Sequence, residues 1–103
     1  MKTDFIWTAI SALENYDYQK SKVHIRLEYL NKLKSVPCVD CGGTYPPCAM
    51  DFDHVRGKKL DTISGMLTHK WAKLQLEIAK CEVVCSNCHR IRTKNRREER
   101  ALE

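Results

Sequence analysis

Apolar positions recur along this chain at two different periods, and the change of period divides it. In residues 4–14, DFIWTAISALE, the side chains of Ile6, Ala9, Ile10 and Leu13 share one face at helical spacing, and Asp4 stands where an N-cap belongs. A short first helix is predicted there. The next segment, YDYQKSKVHIRLEYLNKLKSVP, sets Val23, Leu27 and Leu30 on one stripe and Ile25, Tyr29 and Leu33 on a neighbouring one. It predicts a longer helix that ends before Pro37, because proline disfavours helical geometry at Val36. The wide apolar face is expected to pack on the rest of the domain rather than to form a dimer surface.

After Pro37 the helical period is lost. Residues 37–47 turn to Gly, Pro, Cys and Thr, a composition that punctuates the chain and suits a metal knuckle. CAMDFDHV then has strand character. Asp61 or Thr62 can cap a short helix carrying Ile63, Met66 and Leu67, and a further helix over 71–79 places Trp71, Leu74 and Ile78 on one side. CEVVC reads as a second strand, and SNCHRIRTKNRREER as a last helix that becomes more charged and frays toward Glu103. The expected fold class is α+β. The expected organisation is an N-terminal helical region over 1–36 packing on a core over 37–97, then a charged tail over 98–103.

A chain of 103 residues is one domain whose small core gains from a cross-link, and it contains six cysteines. Met1 is followed by Lys2, Thr3 and Asp4, and no apolar run is long enough for a leader or a membrane span, so a cytosolic protein without membrane contact is expected. In a reducing compartment, closely spaced cysteines are metal ligands or redox groups before they are disulfides. The formal net charge is +5, from 18 Lys+Arg against 13 Asp+Glu, and it is uneven. Residues 38–57 carry −2, with Arg56 against Asp40, Asp51 and Asp53, whereas 58–80 carry +3. An acidic pocket within a basic chain suits a divalent cation held against a polyanion, although any soluble basic protein gives the same net charge.

Cys38-Val39-Asp40-Cys41 and Cys85-Ser86-Asn87-Cys88 are two knuckles, each with two residues between its cysteines. That spacing lets each turn wrap one side of an ion, and four thiolates make a closed tetrahedral zinc site. Cys48 and Cys81 have no close partner and are expected to be small buried apolar residues. CSNCH also matches an attachment sequence for c-type haem, but haem leaves the first knuckle unexplained. Zinc with a spare histidine is the more economical reading. On a helix His89 projects about 100° away from Cys88 and so can face a different site.

The stretch MDFDHVRGKK, residues 50–59, lies between the knuckles. Clamping the knuckles together brings the strand ending in Asp53-His54 beside the helix bearing His89, so one carboxylate and two imidazoles converge next to the zinc. Such a set suits a hard or borderline divalent ion that keeps waters and accepts a phosphate oxygen. Consecutive strand residues point to opposite faces, so the backbone is expected to leave strand geometry near His54, as Val55-Arg56-Gly57 permits. Asp51, two residues before Asp53, is read as a solvated or hydrogen-bonded strand residue in preference to a metal ligand, and His24 and His69 as surface residues.

Over roughly residues 36–97, the ordered set of Cys-x-x-Cys, DFDHV, a helical insert and CEVVCSNCHRIRT resembles the HNH nucleases, the ββα-metal or His-Me finger group, and in particular their small stand-alone phage and bacterial members. The resemblance implies a strand, strand, helix core holding one catalytic Mg2+ or Mn2+ and cleaving DNA phosphodiesters. It makes His54 the general base, Asp53 and His89 the catalytic metal ligands, and Cys38, Cys41, Cys85 and Cys88 the ligands of a structural Zn2+. It also implies a bacterial cytoplasm, with phage encoding and phage DNA-processing partners suggested by some relatives. Lys80 occupies the position of the family's loop-fixing asparagine, which leaves the ligand set intact but puts in doubt how the loop after His54 is held. Asn87 is a candidate substitute, read more simply as a helix-start residue.

On this reading His54 takes a proton from water, the products carry 5′-phosphate and 3′-hydroxyl ends, and activity rises from acid to neutral pH, since an ordinary histidine has a pKa of about 6.5. One site per chain implies nicking by a monomer or a weak homodimer. Arg90, Arg92, Lys94, Arg96, Arg97 and Arg100 load the last helix, and Arg56, Lys58 and Lys59 flank the site from the other side. Phosphate contacts are expected from Arg56, Lys58, Arg90, Arg92 and Lys94, while the tail from Arg97 is solvated. The competing reading is a catalytically inactive, zinc-stapled nucleic-acid-binding module, which Lys80 favours; a redox or haem protein comes third.

Overall fold

The computed structural model describes residues 20–103. The helix predicted over 4–14 and the beginning of the second lie outside these residues. Helix α1 covers 20–33, strand β1 Met50–His54, helix α2 Trp71–Ile78, strand β2 Cys81–Cys85 and helix α3 Ser86–Leu102. Single 3₁₀ turns at Pro47–Ala49 and Ser64–Met66 precede β1 and α2. The fold is α+β: among the described residues, three helices and a two-stranded antiparallel sheet, with four cysteines gathered at one end of it. No helix among the described residues is long and apolar enough to cross a membrane.

Helix α1 stops where expected. The Ser35 hydroxyl donates to Asn31 O at 2.8 Å, satisfying one terminal carbonyl before Pro37 forbids another turn. The buried stripe differs from the expected pair. Arg26 and Leu30 are buried with Tyr29 and Leu33 beside them, whereas Ile25 is 64% and Leu27 42% exposed. The reason is Arg26: its guanidinium donates to the carbonyls of Leu67 and His69 and lies over the Trp71 ring, 5.4 Å from the centroid. These partners hold the face centred on residues 26, 30 and 33 against the insert, which turns Ile25 and Leu27 outward.

Two apolar clusters support the sheet. Leu30, Ile63, Met66 and Leu74 form one, flanked by Phe52, Ile78 and Cys81. Cys38, Met50, Val84 and Cys85 form the other. The predicted helix after Asp61 is reduced to one 3₁₀ turn, started by the Thr62 hydroxyl accepting the Gly65 N–H at 3.1 Å. Cys81 is half-buried, but Cys48, expected inside, is exposed, because no residue of its 3₁₀ turn is buried.

The sheet sets the geometry of the site. β1 and β2 pair from Met50↔Cys85 through Asp53↔Glu82 to His54↔Cys81. Strand alternation turns Asp51 and Asp53 toward α3, where they meet His89, Arg92 and Arg96, and turns Phe52 and His54 toward α1 and α2. The expected departure from strand geometry falls immediately after His54: the ladder includes His54 as its last residue, and the chain then leaves it through Val55, Arg56 and Gly57, the last in the left-handed region at φ +65°. The segment assigned to a tail, 98–103, continues α3 without a break to Leu102.

Candidate functional site

The four knuckle cysteines form the first part of the site. A left-handed Gly42 (φ +73°) closes the first knuckle, where the Cys38 amide donates to Gly43 O and the Gly42 amide to Cys38 O. Val39 N–H bonds Val83 O at 3.2 Å, tying the knuckle to β2. Cys85 ends β2 and caps α3, its sulfur accepting the Cys88 amide. All four sulfurs lie within 4.8 Å of one another, and Cys41 Sγ is 3.9 Å from Cys85 Sγ. A tetrahedral thiolate site with bonds of about 2.3 Å requires sulfurs about 3.8 Å apart, so these cysteines can hold a metal ion after side-chain shifts of about 1 Å or less.

Their ionisation points the same way. Burial pushes the Cys38 thiol up, but the amides of Cys41, Cys85 and Asp40 outweigh it and bring the group down to about 6. Cys88, hydrogen-bonded to Cys85 and close to Cys38, is pushed up to about 12. Four thiols at this separation do not ionise together unaided, and a cation among them removes the conflict.

Beside this cluster, His89 lies between two aspartates. Its Nδ1 is 2.9 Å from Asp51 Oδ2 and its Nε2 3.5 Å from Asp53 Oδ1. Asp51 is thus the hydrogen-bonded strand residue of the two readings offered for it, with His89 as its partner; its position two residues before Asp53 was the signal in the sequence. Asp53, only 3% exposed, is held by Arg96 through both oxygens at 2.8 and 2.7 Å and by Arg92 at 2.8 Å. Burial pushes its carboxyl up, but Arg96 and Arg92 more than offset this and bring it down to about 2.

Arg92 is not available for phosphate as expected. It makes two 2.6 Å bonds to Asp40 inside the first knuckle and reaches Glu82 at 3.1 Å as well as Asp53. Four elements of the fold thus meet on one guanidinium, whose planar fork suits such bidentate pairing. Arg56 is partly engaged, donating to the carbonyls of Ala79 and Cys81. The Lys58 side chain lies on an exposed residue, and its carbonyl is used internally by Lys80.

His54 faces Glu77, a residue the sequence reading did not single out. Its Nε2 lies 3.2 Å from Glu77 Oε1, yet it is one of two buried side-chain polar atoms among the described residues with no aligned hydrogen bond. Glu77 is 1% exposed and accepts the Leu60 amide at 3.0 Å and Lys80 Nζ at 3.0 Å. Its carboxyl lies below the usual range, chiefly through the Leu60 amide. Lys80 also answers how the loop after His54 is held. Its Nζ donates to Lys58 O at 2.8 Å, and its carbonyl accepts the amides of Val55 and Arg56. Asn87, an exposed residue in the first turn of α3, takes no part in that loop.

His54 and His89 share a cleft beside β1. A hollow of about 280 Å³ is lined by Asp53, His54, Lys59, His89 and Arg96, among others. Another of about 320 Å³ runs from His54 past Asp51 to Lys34 and Ile63. A third, about 560 Å³, follows α3 past Arg90, Thr93, Lys94 and Arg97. His89 is a lining residue of all three. Arg90 and Lys94, expected to contact phosphate, line this third hollow, and Arg97, assigned to the solvated tail, lines it too. His24 is exposed and pairs with Glu28, whereas His69 is half-buried. Comparison with protein-family models, curated proteins and solved structures gives no match to this chain.

Proposed function

We propose that this chain is a metal-dependent DNA endonuclease of the HNH type, with structural zinc on Cys38, Cys41, Cys85 and Cys88. The observation that carries the reading is the cleft lined together by His54, Asp53 and His89, with His89 also lining a basic groove along α3. His89 Nε2 and Asp53 Oδ1, 3.5 Å apart, are spaced for neighbouring positions on one divalent ion, and Asp51 on Nδ1 sets the ring for that use. The donor set therefore fits Mg2+ or Mn2+, provided that Arg96 gives up Asp53 Oδ1. Such an ion, when bound, supplies charge stabilisation at the phosphate.

The chain's own groups perform the rest. His54, neutral, accepts a proton from the attacking water. Arg90 and Lys94 hold the phosphate backbone along α3, giving affinity and salt dependence without sequence choice. DNA is the proposed partner, with nicking by each chain acting singly.

Supercoiled-plasmid cleavage with Mg2+, Mn2+ or EDTA, comparing the zinc-loaded parent with His54→Ala, tests this. Metal-dependent nicking that the variant loses is expected. A second reading, an inactive zinc-stapled binding module, is favoured by one observation: both Asp53 oxygens are already bound by arginine. DNA binding by a folded, zinc-loaded parent that cleaves neither duplex nor single strands would establish that module and end the nuclease reading.

A further inference from the structure

Glu77 is buried more deeply than any other carboxylate among the described residues, at 1% exposure, on a helix that forms no part of the strand, strand, helix core. A charge taken out of water is retained only with compensation. Two of its contacts provide that, the Leu60 amide on Oε1 and the Lys80 ammonium on Oε2. The third contact is different in kind. Oε1 stands 3.2 Å from His54 Nε2, whose side chain is 11% exposed, and no other carboxylate among the described residues pairs with that ring. The ring nitrogen is itself without an aligned partner, so a small rotation toward Glu77 satisfies the histidine's one buried polar atom.

We propose that Glu77 is the positioning residue for His54, holding the ring with the Nε2 proton toward the protein and the Nδ1 lone pair toward the cleft. The inference deepens the nuclease reading, in which His54 accepts the proton of water, and rests on it for its consequence but not for its geometry. A neutral imidazole presents one N–H and one lone pair, and the hydrogen bond made by one nitrogen decides what the other offers. With Glu77 on Nε2, the atom left to face the cleft is an acceptor, which is what a base requires. Lys80 adds the constraint that Glu77 cannot swing away: its ammonium joins Glu77 Oε2 to Lys58 O, so carboxylate and loop are fixed together. A carboxylate that served only to cap the Leu60 amide would need no ring beside it.

Long-range proton–nitrogen correlation spectra of the zinc-loaded, 15N-labelled full chain, at mildly alkaline pH, read the His54 tautomer directly. The parent is expected to carry its proton on Nε2. Glu77→Gln, which keeps size but replaces the charged acceptor with a neutral amide, is expected to weaken that preference and to nick plasmid about 10- to 100-fold more slowly at unchanged DNA affinity. A parent with the proton on Nδ1 overturns the proposal, as does a folded Glu77→Gln with unaltered tautomer and rate. Because the parent spectrum decides by itself, a variant that fails to fold does not leave the question open. A parent that shows the Nε2 proton but nicks no DNA would retain the positioning role and overturn the nuclease reading alone.

Discussion

Asp51 Oδ2 lies 2.9 Å from His89 Nδ1, which leaves Nε2 as the ring nitrogen that faces Asp53. Carboxylates behind metal-binding histidines fix the ring and raise its basicity, and their loss typically lowers metal affinity about 10- to 100-fold. Asp51→Ala is therefore expected to weaken Mn2+ binding by that order while leaving the zinc complement at the cysteines unchanged. Calorimetric titration of Mn2+ into the zinc-loaded protein measures it; equal affinities would show that the Asp51 contact is merely structural.

Arg96 holds the Asp53 oxygen that the proposed divalent ion would need. Arg96 sits on the exposed side, its side chain 42% accessible, whereas Arg92 is 17% accessible and also bound to Asp40 and Glu82. Arg96→Ala is expected to raise Mn2+ affinity about three- to tenfold, since removing a neighbouring cation favours binding of another. Arg92→Ala is expected instead to lower the unfolding midpoint, because it releases the knuckle from the strand. The two variants separate when metal titration and thermal unfolding are run side by side.

Removal of the metal from the cysteine cluster is expected to cost the fold its cooperativity. Four sulfurs lie within 4.8 Å, and Cys38 and Cys85 belong to an apolar cluster of only four buried residues. A chelator under reducing conditions, or Cys85→Ser, should broaden the thermal transition seen by circular dichroism, and added Zn2+ should restore it only in the parent. A sharp, unshifted transition in the metal-free parent would contradict this.

The acid limb of stability has a definite sign. Asp53 is ionised in the fold down to about 2, below the value of about 3.9 for an unfolded aspartate. Its contribution, about 1–2 kcal/mol after allowance for solvent screening, is fully present above the unfolded value and is lost as pH falls through the folded one. Urea unfolding of the parent and of Asp53→Asn should differ by that amount at pH about 5 and converge near pH about 2, both proteins losing thiol-bound metal alike. A gap that does not change with pH would assign the difference to packing.

Much of the framework was legible in the chain because its signals are local. Two Cys-x-x-Cys knuckles, alternation in MDFDH and CEVVC, and Pro37 after an amphipathic run each act over a few residues, and each has its counterpart in the fold. Less legible were residues whose role depends on a distant partner. Arg92 reads as one cation in a basic helix, but its Asp40 partner is 52 positions away. Glu77 reads as the polar side of α2, and its burial follows from Leu60 and Lys80, which close over it. Arg26 likewise turned α1 by finding carbonyls 41 and 43 positions along the chain. Charge pairing has no period, so no pattern along the sequence announces it.

The two halves of the cysteine cluster have a consequence for synthesis. Cys41 and Cys85 are 44 positions apart, and closing a flexible loop of that length costs about 3 kcal/mol beyond a fixed constant. Strand pairing ends at the same point, with Met50 opposite Cys85. A nascent polypeptide on the ribosome therefore cannot complete the β1–β2 pair until Cys85 emerges, nor the four-cysteine cluster until Cys88 does. The whole insert, with Glu77 and Lys80 in it, is therefore synthesised before the cluster that ties its two ends together can close.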